Sequence, residues 1–217
     1  MKTDDLIHQL GRELTPVRRL SPPGRRAAVW LSCSVLYVAA VVTIAWLRRG
    51  HLGVEPAAPY LLQQLALATT GVLAAFAAFA SVIPGMTSRA RSALALSLAV
   101  MMAALIWGTV RDVQQFGTAG FGRETDWPCV VSITVGSFAL WGIASVMLRR
   151  GAVLEPRMTS VLAGIAAVSL ANIEACISRV HAVTATVIAW HGMAAAIVML
   201  GVTALGARVL SRRRFDI

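Results

Sequence analysis

Charge is nearly absent from six stretches of this chain, and short arginine-bearing turns separate them. Residues 27–47, 61–83, 92–110, 128–148, 158–177 and 187–207 each run close to the roughly 20 residues a helix needs to cross bilayer hydrocarbon. Spans of this kind must be helical, because a lone strand leaves its backbone groups unpaired in lipid. The pattern therefore predicts an all-α integral membrane protein, a bundle of six transmembrane helices forming one domain over 27–207. A leader, 1–26, precedes it and a short basic tail, 208–217, follows. The fifth span is the weakest of the six, since Asn172 and Glu174 fall near its end.

The leader has a different period. In "TDDLIHQLGREL", Leu6, Leu10 and Leu14 recur every fourth residue and Ile7 widens the stripe, which predicts a short amphipathic helix. Thr3 suits its N-cap, and Asp4 and Asp5 suit its first turn. Pro16 ends it, and Pro22, Pro23 and Gly24 predict an extended connection to the first span. About twelve residues do not hold a helix in water unaided. The stripe therefore lies on something, either the inner membrane surface or a partner protein. A cleaved signal peptide is not expected, because the first apolar run is too long for one and a polar leader precedes it.

Composition agrees with the pattern: 57% of the 217 residues are hydrophobic and only 14% are charged, against about a quarter charged in a soluble domain. With both termini placed in the cytoplasm of a bacterial inner-membrane protein, fifteen of the twenty basic residues fall on the inner side, as the positive-inside rule requires. Arg48 and Arg49 are the awkward exceptions on the outside. The net charge of +10 thus reflects topology, and no direct nucleic-acid binding is expected. "TTGVLAAFAAFAS" places Gly71 and Ala75, and Ala74 and Ala78, four apart, a spacing that lets helices pack closely. "LRRGHLGVEP" from Leu47 and "LRRGAVLEP" from Leu148 echo one another, more as basic helix ends than as a duplication.

Candidate chemistry gathers around two of the three cysteines. Cys33 lies within the first span and is expected to be a small buried apolar residue. Cys129 opens the fourth span and Cys176 closes the fifth, so a hairpin of these two helices sets both at the outer end. There they form a structural disulfide, a redox or metal-sensing pair, or two cysteines that never meet. His181, His191 and Glu174 fall at the same end as auxiliary ligands. Sulfur and imidazole together suit a transient thiophilic metal ion, although no CxxC and no zinc-finger spacing is present. No resident cofactor is implied. The span centres lack the acidic and basic residues of an ion pathway, and catalytic motifs such as GxSxG and HExxH are missing. An enzyme is not expected, the alternative being a membrane-embedded thiol-disulfide oxidoreductase that uses the same two cysteines.

"MKTDDLI" followed by "PVRRLSPPGR", then "WPC" at Trp127–Cys129, Cys176 with His181, and "WH" at Trp190–His191 resemble, in that order, the NrsF-type anti-sigma factors. The resemblance runs the length of the chain. It implies a six-span protein of the bacterial inner membrane that sequesters an extracytoplasmic-function sigma factor and releases it under oxidative or heavy-metal stress. It implies Cys129 and Cys176 as the sensing residues and the cytoplasmic leader as the sigma-binding element. Leu6, Leu10 and Leu14 would then dock in a groove on the sigma factor, with Val17, Arg18, Arg19 and Leu20 beside them.

Overall fold

The structure, a computed structural model, describes residues 20–53, 58–83, 87–117, 127–151, 153–178 and 184–211. Six helices make it up: α1 (Pro23–Arg49), α2 (Ala58–Ala80), α3 (Thr87–Phe116), α4 (Trp127–Leu148), α5 (Pro156–Ser178) and α6 (Thr184–Leu210). All six are long and apolar enough to cross a membrane, and the described residues contain no strand. The chain is a multi-pass membrane protein. An even number of crossings brings Leu20 and Ser211 to one end of the bundle, here called the terminal end; the opposite end is called distal. The amphipathic stripe predicted around Leu6, Leu10 and Leu14 lies outside the described residues.

Helix limits differ from the uncharged runs where proline chemistry intervenes. Pro22, Pro23 and Gly24 were expected to stay extended, yet α1 starts at Pro23, with Pro22 as its N-cap at φ −51° and ψ 145°. A proline at the first helical position loses no hydrogen bond, and its fixed φ already fits a helix. The leader therefore gives up its last residues to α1. Conversely, Ser81 to Ile83 leave α2 as a turn, since Pro84 disfavours helical geometry in the residue before it.

The weakest predicted span is the hub. In α5, 72% of the most apolar stretch is buried inside the protein, against 17% for α1, and α5 packs on α1, α2, α4 and α6. Lipid is as apolar as leucine, so contact depends on close approach and interhelical hydrogen bonds. Gly71 supplies approach, because a Cβ there would meet Ser169 Cβ at 3.4 Å. Ala74, Ala75 and Ala78 continue that buried face of α2. On the other side of α5, a Cβ on Gly206 would overlap Ser160 Oγ, so only glycine admits α6 there.

Hydrogen bonds then pin the hub in place. Ser160 donates to Val202 O at 2.9 Å and accepts from Trp141 Nε1 at 3.1 Å, joining α4, α5 and α6. Ser81 and Thr159 pair at 2.7 Å between the end of α2 and α5, and Trp30 Nε1 donates to Leu140 O at 3.1 Å between α1 and α4.

Two sequence expectations change in this frame. Cys33 is exposed on α1; a peripheral helix in lipid has an apolar environment on both faces, so burial is not needed to shelter a thiol. Arg49, awkward under the positive-inside rule, donates to Ser178 O at 2.7 Å. It satisfies a carbonyl that the end of α5 leaves open, where the helix dipole favours a cation. Gly53 N completes this cap by donating to Ile177 O at 2.8 Å. The echo after α1 and α4 is also unequal, since Gly50 takes a left-handed φ of 75° and Gly151 does not.

Candidate functional site

The distal end of α4, α5 and α6 holds a cluster of polar and sulfur-bearing side chains. Cys129 enters it from the first turn of α4, completely buried, and packs with Val130, Ile133, Ala171, Ala175 and Ala194. Cys176, 2% exposed, follows Ala175 on α5. The hairpin thus brings both cysteines to one level, as their spacing predicts, and all three cysteines of the chain are thiols in this structure.

One helical turn before Cys176, Asn172 fixes a histidine. Its amide Nδ2 donates to Val168 O at 2.8 Å, which turns Oδ1 towards His191 Nδ1 at 2.9 Å. With the amide so oriented, the proton of His191 belongs on Nδ1, and the lone pair falls to Nε2. Cys176 Sγ lies 3.9 Å from the same Nδ1, so imidazole and thiol are neighbours in a buried site.

Glu174 fastens the cluster to α4. It is 2% exposed and accepts from Ser132 Oγ at 3.0 Å and from Ser178 Oγ at 3.1 Å. Ser132 stands one turn after Cys129, so this carboxyl group bridges the segments that carry the two thiols. Trp127 and Trp190 close the same end, their ring centroids 5.8 Å apart. A cavity of about 350 Å³ between α2, α3, α5 and α6 reaches Asn172 and His191 past Leu98, Met102 and Met199.

Of the auxiliary ligands expected from sequence, His191 and Glu174 are in the cluster, and His181 lies outside the described residues. Among the described residues, no three His, Cys, Asp or Glu side chains converge closely enough to hold a metal ion. Ser132, and Asn172 as the partner of His191, were not anticipated. Asn172 stands four residues before Cys176 and Ser132 three residues after Cys129, each on its cysteine's helical face; nothing in the sequence signals their partners His191 and Glu174.

The opposite end of the hairpin touches the leader's root. A Cβ on Gly151 would lie 2.7 Å from Val82 Cγ1, 3.1 Å from Leu20 Cδ2 and 3.6 Å from Arg26 Nη1. Arg26, 7% exposed, donates to Met147 O in the last turn of α4 and sits 5.2 Å above the Phe79 ring. Leu20 is the one expected sigma-contacting residue that is described; Leu6, Leu10, Leu14, Val17, Arg18 and Arg19 lie outside the described residues.

Six crossing helices and a sheltered thiol cluster define a membrane-embedded protein whose first and last described residues, Leu20 and Ser211, share one side. Residues 10–212 match the model of the family described as negative regulator of sigma F, NrsF. The chain belongs to that family, and its partner is a sigma factor. No curated protein and no solved structure matches it.

Proposed function

We propose that this protein is an anti-sigma factor of the bacterial inner membrane that holds an extracytoplasmic-function sigma factor through its cytoplasmic leader. It releases the sigma factor when Cys129 and Cys176 meet an oxidant or a thiophilic metal. The observation that carries this reading is the α4–α5 hairpin, with two buried thiols at one end and Leu20 and Arg26 packed around Gly151 at the other.

Under peroxide stress the two thiols give up two electrons and two protons, forming one disulfide while the peroxide becomes two molecules of water. Metal capture releases the protons of the same two thiols as the sulfurs bind the cation, and draws a further ligand, such as His181, from outside the described residues. Either event repacks α4 against α5 and displaces the turn on which the leader rests. The signal acts only through its different affinity for the two packings.

The burial of both thiols favours a small reagent over a protein disulfide as the reactant, which argues against a thiol-disulfide oxidoreductase. Deletion of residues 2–20 separates the two readings. Membranes carrying the deleted protein should lose sigma-factor retention while the bundle remains inserted. Undiminished retention would overturn the leader's role.

A further inference from the structure

At the terminal end lies a cavity of about 930 Å³, lined by Arg25, Arg26, Arg150, Leu20, Val29 and Met147 among others. Arg25 and Arg26 sit in the first turn of α1, which contains no acidic residue and whose N-cap, Pro22, offers no side-chain cap. Cations at this position oppose the helix dipole, whose N-terminal end is itself positive. Arg150 approaches from the end of α4, and its like charge acts on Arg26. Arg26 is buried and, among the described residues, donates to a neutral carbonyl and lies over an aromatic face.

Three guanidinium groups and a helix start without a side-chain cap therefore line one space. Guanidinium forks match the oxygens of a phosphate, and Gly24 and Arg25 add two backbone N–H donors at the helix start. The remaining walls, Leu20, Val29 and Met147, are apolar and continue into the membrane-facing side of α1, where Val29 is half exposed. A ligand with a phosphate head and a hydrocarbon body fits both parts.

We propose that this cavity is a binding site for the phosphate group of an anionic phospholipid, held by Arg25, Arg26 and Arg150. The lipid neutralises the three charges and fixes Leu20 to Pro22, the root of the leader, against α4. Basic pockets between transmembrane helices take lipid headgroups in this way. The site stands independently of what the leader binds.

The test uses the full chain reconstituted in nanodiscs of phosphatidylcholine and phosphatidylglycerol, with retained lipid counted by native mass spectrometry. The wild type should retain phosphatidylglycerol in preference to phosphatidylcholine. Arg25→Gln and Arg150→Gln, both at exposed positions, should each cut that preference roughly 5-fold. Arg26→Lys, which keeps the charge, should preserve most of it. No preference in the wild type, or an unchanged one in the Arg25→Gln/Arg150→Gln protein, would overturn the site. Displacement of the lipid by millimolar inorganic phosphate would assign these arginines to free phosphate and overturn the lipid.

Discussion

Replacing Arg26 by methionine should uncouple the leader from the hairpin. The substitution keeps an unbranched stem but removes the bond to Met147 O and the cation over Phe79. A hydrogen bond from a charged donor is worth about 1.5–3 kcal/mol, and a cation–π contact about 0.5–2 kcal/mol. Relief of the cost of burying a charge offsets part of this, leaving a net loss of about 2 kcal/mol at the contact. Coupling between two sites reaches about 3 kcal/mol, or roughly 150-fold, at the upper end of its usual range. Losing about 2 kcal/mol of it lowers a 150-fold release of sigma factor to roughly 5-fold. The assay is sigma-factor retention on membranes with and without peroxide, beside Arg149→Gln as an exposed-arginine control. A full peroxide response from Arg26→Met, in a protein that still inserts, would refute transmission through this contact.

Other outcomes follow from the packing. Gly206→Ala should destabilise the bundle by about 2 kcal/mol through overpacking against Ser160, as read by unfolding in denaturing detergent; unchanged stability would deny the close approach of α6 to α5. Arg49→Gln removes the 2.7 Å cap on Ser178 O and should lower the melting temperature of the solubilised protein by roughly 3–6 °C, the equivalent of about 1.5 kcal/mol; an unchanged melting temperature would deny the cap. Cys33→Ser, on the exposed side of α1, should leave both sigma-factor retention and its stress response within about twofold of wild type, a small effect consistent with a substitution that breaks no packing.

What the sequence disclosed follows from what a membrane demands. Charge is so costly in hydrocarbon that six nearly charge-free runs locate six helices almost by themselves. Helix ends were less legible, because a helix continues past the hydrocarbon until local chemistry stops it. Pro23 starts α1 inside the polar leader, and Pro84 ends α2 ahead of the apolar run. Facing was the least legible of all. In lipid the outer face is as apolar as the inner one, so no periodicity separates Cys33, exposed, from Cys129, buried.

Polar residues were the exception that misled. Asn172 and Glu174 weakened the fifth span as a sequence feature, yet they mark the helix most enclosed by others, where neighbouring hydroxyls and an imidazole satisfy them. Inside a membrane, a polar residue in an otherwise apolar run signals an interior helix. The candidate thiols were legible from topology alone, because cysteines at the start of one helix of a hairpin and the finish of the other must share a level. The contact between Gly151 and the leader's root was not, since nothing in either segment announces the other.

The central claim, that Cys129 and Cys176 govern the hold on the sigma factor, is tested most directly by comparing wild type with a Cys129→Ser/Cys176→Ser protein. Membranes bearing each would be loaded with sigma factor and exposed to peroxide, cadmium or dichromate, and the bound fraction measured. The account predicts release from the wild type and undiminished retention by the double variant under every stress. Equal release from both would contradict it, leaving the cysteines as packing residues of a regulator that senses by other means.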